Sequence, residues 1–379
     1  MQQTIHVPIP PSLTAWDLAK QFWRDIYGKE VQSAATYSYT WVADQMGHIC
    51  LGILLSFGFT AIVDQILPPS ESWNPFLGFL LASAVVSYWE HRAYNTDVEK
   101  AAGGLFPLGE ELLRDNAIIA AVYMILGAGV GWAFHNSLNW AAAGFAALAV
   151  LAVVLAPPWL RQKITWQKGG MPYLARLADL KVKVPKPLAD KLWQVIQSGA
   201  PPDVPPQVAV IGGPVGSGRT SIACGIGTEY AFRHISVRYL SFDDLTEFAA
   251  TSDFELGKPA PGPANIGFWP WSSAQVLIID NLGPLIAASE RLQPLGHVGD
   301  LSTWLTHRLP NIREALSKRH TIWIMGEVGA KSQDELDRSA AAIGKFLGVD
   351  TDPLAILMNT SADAVTADEV TRSKPGLVA

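Results

Sequence analysis

Charge and cysteine are what this sequence has least of. Only 16% of its 379 residues are charged, against about a quarter in an ordinary soluble chain. That shortfall excludes a surface wholly exposed to water, and apolar residues fill the gap at 49%. The formal net charge of -6 excludes the basic field that holds nucleic acid nonspecifically. The two cysteines, Cys50 and Cys224, lie far apart, one in an apolar run and one behind a glycine-rich turn. A disulfide framework and a cysteine metal site are excluded, and both read as reduced packing residues. Lys and Arg are also missing from two short segments, 68–74 (PPSESWN) and 136–137.

Long apolar runs, by contrast, are present. Four approach the roughly 20 residues that a bilayer demands: about 45–67, 75–93, 116–135 and 138–159. Many of the 14 Trp sit at their edges, where interfacial Trp collects. We expect a four-helix transmembrane domain over 41–160. The first run begins at residue 45, behind a mostly polar arm, which is not a signal-peptide pattern. The segments without Lys or Arg face one side. The arm (Lys20, Arg24, Lys29), the middle loop (Arg92, Lys100, Arg114) and the segment after the fourth run (Arg161, Lys163, Lys168) face the other. The positive-inside rule therefore puts both termini in the cytoplasm of a multi-pass protein of the inner cell membrane.

Arm 1–40 has its own pattern. Leu13, Trp16, Phe22, Trp23, Ile26 and Tyr27 recur at roughly helical spacing, with Asp17, Lys20 and Arg24 between them. That is an amphipathic helix, lying on the membrane or packed on a soluble domain. Residues 161–206 read as a linker, basic at first and Pro-rich at its end, suited to anionic headgroups and to a stiff spacer.

Beyond it, the pattern becomes that of an α/β domain over 207–360. The run 208–221, VAVIGGPVGSGRTS, is a strand, a glycine-rich turn and the start of a helix. Gly213, Pro214, Val215, Gly216, Ser217, Gly218, Arg219, Thr220 and Ser221 then form a phosphate-binding loop. Glycines let backbone N–H groups face the phosphates, and the helix N-terminus adds its dipole. Thr220 would offer its hydroxyl to Mg²⁺. Further strands are expected over 235–241, 275–280, 320–326 and 353–359. Asp280, at the C-terminal end of an apolar strand, stands where a second carboxylate anchor for Mg²⁺ belongs. The tail 361–379 is expected to be disordered.

The order phosphate loop, helix, VRYLSFDDL, VLIIDNL, TIWIMG resembles the AAA+ ATPases, and within them the bacterial replication-initiator and helicase-loader group. The resemblance covers about 205–360. It implies a five-stranded parallel sheet between helices, ATP at a subunit interface, and homo-oligomeric assembly through the NTPase domain. Three positions depart from the pattern. Arg219 replaces the loop Lys; Arg is larger and binds oxyanions as a flat fork. Asn281 stands where a water-polarising Glu is usual, with Glu327 and Asp243 as possible substitutes at the same sheet edge. No helical lid follows the fifth strand. For an arginine finger supplied across subunits, Arg308, Arg313, Arg319 and Arg338 are the candidates, with Arg338 preferred. Asp280, Asn281, Glu327 and Arg338 are thus the candidate catalytic set, and turnover should suffer more than binding.

Near the membrane, Asp44 and His48 share one helix face, and Glu90 and His91 sit at the same expected depth. They read as interface anchors, or as a metal or proton site. Small-residue stretches such as LGAGVGW favour close helix packing. The expected function is a membrane-anchored nucleotide switch that assembles or remodels a protein partner. The alternatives are a nucleotide-gated channel or transporter, and an oligomeric pore effector. Nucleic acid is not expected as a partner, despite the basic segment 306–320.

Overall fold

The computed structural model describes residues 13–26, 37–68, 73–102, 105–106, 110–180, 182, 184–200, 205–250, 268–282, 301–326, 332–349 and 352–358. These divide into two compact units. One is Ala15–Leu160; the other runs from Arg161 onward and includes Leu13 and Thr14.

The first unit is helical: α1 (Ala15–Ile26), α2 (Tyr37–Ile66), α3 (Trp73–Ala102), α4 (Glu110–Asn136) and most of α5 (Leu138–Gly169). Each of the four apolar runs lies in one of the last four helices. Two helices, rather than the expected four, are long and apolar enough to cross a membrane among the described residues: Gln45–Ile66 and Leu113–Asn136. The other two runs lie in helices that continue into polar sequence, Glu90–Lys100 in α3 and Arg161–Lys168 in α5. Helices α2, α3 and α4 pack on one another. A methyl group at Gly52 would collide with the Met124 carbonyl, and one at Gly127 with the Ile49 carbonyl. The small residues of LGAGVGW therefore serve this bundle's own close packing. Asn74 donates to Asp64 at 2.7 Å, tying the end of α2 to the start of α3.

The second unit holds a five-stranded, all-parallel sheet in the order β2-β3-β4-β1-β5. The strands are β1 (Val208–Gly212), β2 (Val237–Ser241), β3 (Val276–Asp280), β4 (His320–Ile324) and β5 (Leu354–Leu357). Each falls within or against a run expected from sequence. Side chains alternate between faces, as a strand's period of two requires. Val208, Val210, Leu277, Ile279 and Trp323 enter a core covered by α8 (Phe242–Ala250), α9 (Leu301–Arg308), α10 (Arg313–Ser317) and α11 (Gln333–Leu347). Ile278 faces the other way, toward α7 (Arg219–Phe232), where a methyl at Gly227 would stand 3.0 Å from it. Helix α8 starts on a reciprocal cap. Ser241 Oγ accepts from the Asp244 N–H at 3.0 Å, and Asp244 accepts from the Ser241 N–H at 3.1 Å.

Residues 161–200, expected as a linker, belong to this unit. Lys163 and Arg176 are buried, while Lys186 and Lys191, in the basic stretch 181–197, are exposed. Gln162 donates to the Phe232 carbonyl at 3.2 Å, and Trp166 to Thr228 Oγ1 at 3.2 Å. Helix α6 (Lys186–Ser198) buries Ala189, Leu192, Trp193 and Ile196. The physical cause is the apolar face of α7, whose described residues from Ile222 to Phe232 are all buried and so need cover beyond the sheet. The tail 361–379 lies outside the described residues.

Two histidines give this unit a pH signature. Burial lowers His320 and His234 below 6.5, with Arg161 adding to the effect on His234. Both are held neutral in the fold, while the unfolded chain protonates near 6.5. Stability is therefore complete above that pH and declines as pH falls from 6.5 toward the depressed values. The melting temperature should drop over that range, by about 1.4 kcal/mol of stability per unit of pKa depression. His320→Gln should flatten the drop.

Candidate functional site

At the C-terminal end of β1 the chain turns through Gly213–Gly218 into α7. Three glycines there have φ values that side chains rarely adopt: 147° at Gly213, 81° at Gly216 and 85° at Gly218. At Gly213 space is closed as well. A Cβ would lie 2.7 Å from the Met358 carbonyl oxygen and 2.8 Å from Ser217 Oγ. Gly213→Ala should cost about 1–3 kcal/mol in backbone strain, read as a lower melting temperature.

The turn delivers polar groups toward one point. No side chain caps the N-terminus of α7, so its first N–H groups keep their capacity for an anion. Ser217 is 3% exposed, and its hydroxyl has no hydrogen-bond partner among the described residues. A buried hydroxyl without a partner at a helix N-terminus is what an oxyanion would satisfy. Pro214 and Gly216 line the turn, and Val215 is exposed.

Arg219 reaches the end of β4. Its Nη1 donates to the Met325 carbonyl at 2.6 Å and to the Gly326 carbonyl. The strand order explains the reach, because β4 lies between β1 and β3 and its C-terminal end sits beside the loop. Thr220 Oγ1 donates to Asp280 Oδ2 at 3.3 Å, so the pair expected to hold Mg²⁺ is brought together. The same oxygen accepts from the Tyr239 hydroxyl, and Asp280 Oδ1 accepts the Asn281 N–H at 2.7 Å. Ser221 Oγ bonds the Tyr173 hydroxyl at 2.8 Å. Burial pushes Tyr173 and Cys224 up to about 12, so Cys224 remains a protonated packing thiol. Burial first, and then Asp280, raises Tyr239 beyond any physiological pH, so its hydroxyl stays a donor.

Asn281 has φ 66°, a left-handed conformation that Asn tolerates better than most side chains. Backbone geometry accounts for an Asn at this position. Glu327 lies outside the described residues. Asp243 is exposed in the first turn of α8. Arg338 is exposed on α11, and its Nε donates to the Asp334 carbonyl of its own helix at 3.3 Å. Arg319 is not a free finger. It is buried and donates to the carbonyls of Ala274, at 2.9 Å, and Ala315. Arg308 lies over the Trp304 ring, 5.9 Å from its centroid. Lys318 pairs with Glu314 at 2.7 Å, which reduces the basic character of 306–320.

Sequence reading missed Tyr239 and Tyr173. Tyr239 carried one signal: a polar-tipped aromatic in the strand VRYLS, two positions before its end. The register that pairs Ser241 with Asp280 was not visible.

A cavity of about 510 Å³ opens at the opposite sheet edge, between α6 and the starts of β1, β4 and β5. Gln207 Oε1 and His320 Nδ1 on its wall are buried without a partner among the described residues. It has no glycine-rich turn and no helix N-terminus directed into it. Parallel sheets bind ligands at their C-terminal edge, so the loop remains the stronger candidate. In the helical unit, His48 contacts Gln45 at 3.5 Å and His91 contacts Asn95 at 3.2 Å, each on its own helix. Among the described residues no group of three or more His, Cys, Asp and Glu is placed to hold a metal.

No protein-family model matches the chain, and no curated protein matches it.

Proposed function

We propose that this chain is a membrane-anchored, AAA+-like nucleotide switch that binds ATP at Gly213–Ser221 and hydrolyses it slowly or only with a partner. The observation that carries the reading is the turn itself: three glycines at positive φ, an uncapped helix N-terminus, and the buried, unpartnered Ser217 hydroxyl between them. Slow turnover follows from Asn281, which cannot take a proton from water.

Membrane anchoring rests on where apolar surface is left uncovered. Among the described residues, the large exposed apolar side chains, such as Leu54, Ile62, Leu81, Trp89, Ile118 and Val154, belong to the helical unit, with Val215 the exception. Water would not tolerate such a surface without a covering. In this reading α3 and α5 join α2 and α4 as spans, and both termini are cytoplasmic. The domains assemble as a homo-oligomer with Arg338 facing a neighbour's phosphates, and they recruit or remodel a protein partner.

A route out of the site supports a switch. Helix α7 begins at the loop and is held along its length by residues 162–177, through Tyr173–Ser221, Trp166–Thr228 and Arg176–Glu229. A shift of α7 on ATP binding would be felt directly by the C-terminal end of α5 and the residues that follow it. The test is titration of a fluorescent ATP analogue into the full chain in detergent. Saturable binding at micromolar concentrations is expected, and no binding at millimolar concentrations would end the reading.

A further inference from the structure

We propose that this site takes its nucleotide without a divalent cation, because Tyr239 and Thr220 already occupy the Asp280 oxygen on which a cation would depend. The proposal rests on the nucleotide reading above and narrows it to nucleotide binding that does not depend on magnesium.

The argument starts from what Asp280 has left to give. Its Oδ2 accepts two hydroxyl protons, from Thr220 at 3.3 Å and from Tyr239, and its Oδ1 accepts the Asn281 N–H at 2.7 Å. Magnesium demands near-ideal octahedral oxygen ligands and gives up water reluctantly. A cation held between Thr220 and Asp280 would use Oδ2, the oxygen that Thr220 bonds, and would have to displace the Tyr239 hydroxyl from it. That hydroxyl is held in place from the strand behind it. Tyr239 and Asp280 are on adjacent parallel strands, with Tyr239 opposite Ile278 and Ser241 opposite Asp280, and burial keeps its proton on. A displaced hydroxyl left without a partner in a part-buried site forfeits about 10- to 100-fold in the exchange. Tyr239 is thus a positioning residue that also cancels part of the Asp280 charge facing the phosphates.

A positive charge already stands beside the loop in Arg219, which donates to the carbonyl oxygens of Met325 and Gly326. A phosphate is the stronger acceptor, since hydrogen bonds to ionised groups are about twice as strong. The guanidinium can pass from the end of β4 to the phosphates and present a flat fork that a Lys lacks. With the α7 N-terminus and the loop N–H groups, that forms an anion site of the kind that needs no metal. An Arg in the Lys position and a Tyr on the acid are then one adaptation.

The test titrates the full chain in detergent with fluorescent ATP analogue, once in EDTA and once in excess Mg²⁺. The wild-type dissociation constants should agree within about 2-fold, and Tyr239→Phe should tighten binding in Mg²⁺ relative to EDTA by about 10-fold or more. Electron paramagnetic resonance of Mn²⁺ with ATP gives a second readout: bound Mn²⁺ should rise in Tyr239→Phe above wild type. Wild-type binding that requires Mg²⁺ overturns this proposal and leaves the nucleotide reading intact. Equal Mg²⁺ dependence in the two proteins, with no added Mn²⁺ bound, removes the role given to Tyr239. No binding in either buffer removes the nucleotide reading, and this one with it.

Discussion

Glu229→Ala is expected to destabilise the sheet-bearing unit by about 3–5 kcal/mol, the largest loss among the substitutions considered. Glu229 lies on α7 and accepts from Arg176 Nε at 2.8 Å and from Arg233 Nη1 at 3.2 Å. The side chains of Arg176 and Glu229 are only 7% and 4% exposed. Arg176 also lies over the Phe232 ring, 4.7 Å from its centroid, and its Nη2 is buried without a partner among the described residues. Removing the carboxylate leaves Arg176 charged, buried and uncompensated. That is far worse than losing a pair in water. For a unit of this size the shift is roughly 6–20 °C in melting temperature, measured by tryptophan fluorescence on the full chain. A comparison fixes the scale. Lys186 and Asp190 form an i,i+4 pair at 3.1 Å with both side chains half exposed. Asp190→Ala should move stability by only about 0.5 kcal/mol or less. Equal effects of the two variants would mean that the burial of Glu229 does not hold in solution.

Arg219→Ala should weaken ATP-analogue binding about 10- to 100-fold, the range of one or two charge-assisted hydrogen bonds. Two roles end together in this variant. The charge leaves the glycine-rich turn, and the carbonyls of Met325 and Gly326 lose this donor. Arg219→Lys separates the two. A Lys keeps the positive charge but presents a compact ammonium rather than a fork, so it should recover only part of the affinity. Binding by Arg219→Ala that equals wild type would show that the guanidinium stays on β4 and takes no part in holding phosphate.

Much of the scaffold could be read from local sequence. The five strands lie in the expected runs because each is a short apolar stretch ended by glycine, a polar residue or a turn, a signal carried within a few neighbours. The phosphate-loop candidate was legible for the same reason, since glycines at fixed spacing permit positive φ wherever the chain goes afterward. The four apolar runs were likewise found in helices, although only α2 and α4 meet the length and composition of a membrane span among the described residues. That residues 161–200 pack with the sheet unit was not legible, because the partners that bury Lys163 and Arg176 lie far away in sequence.

Local pattern alone determined that this chain has apolar helices, an α/β sheet and a glycine turn able to face phosphates. Only the tertiary structure decided what that turn's neighbours do. It set Arg219 on the end of β4, Tyr239 against Asp280, Asn281 at positive φ, and Tyr173 on Ser221. Each of these depends on which strands lie side by side and in what register. Spacing along a chain carries no information about that until the apolar faces have found one another.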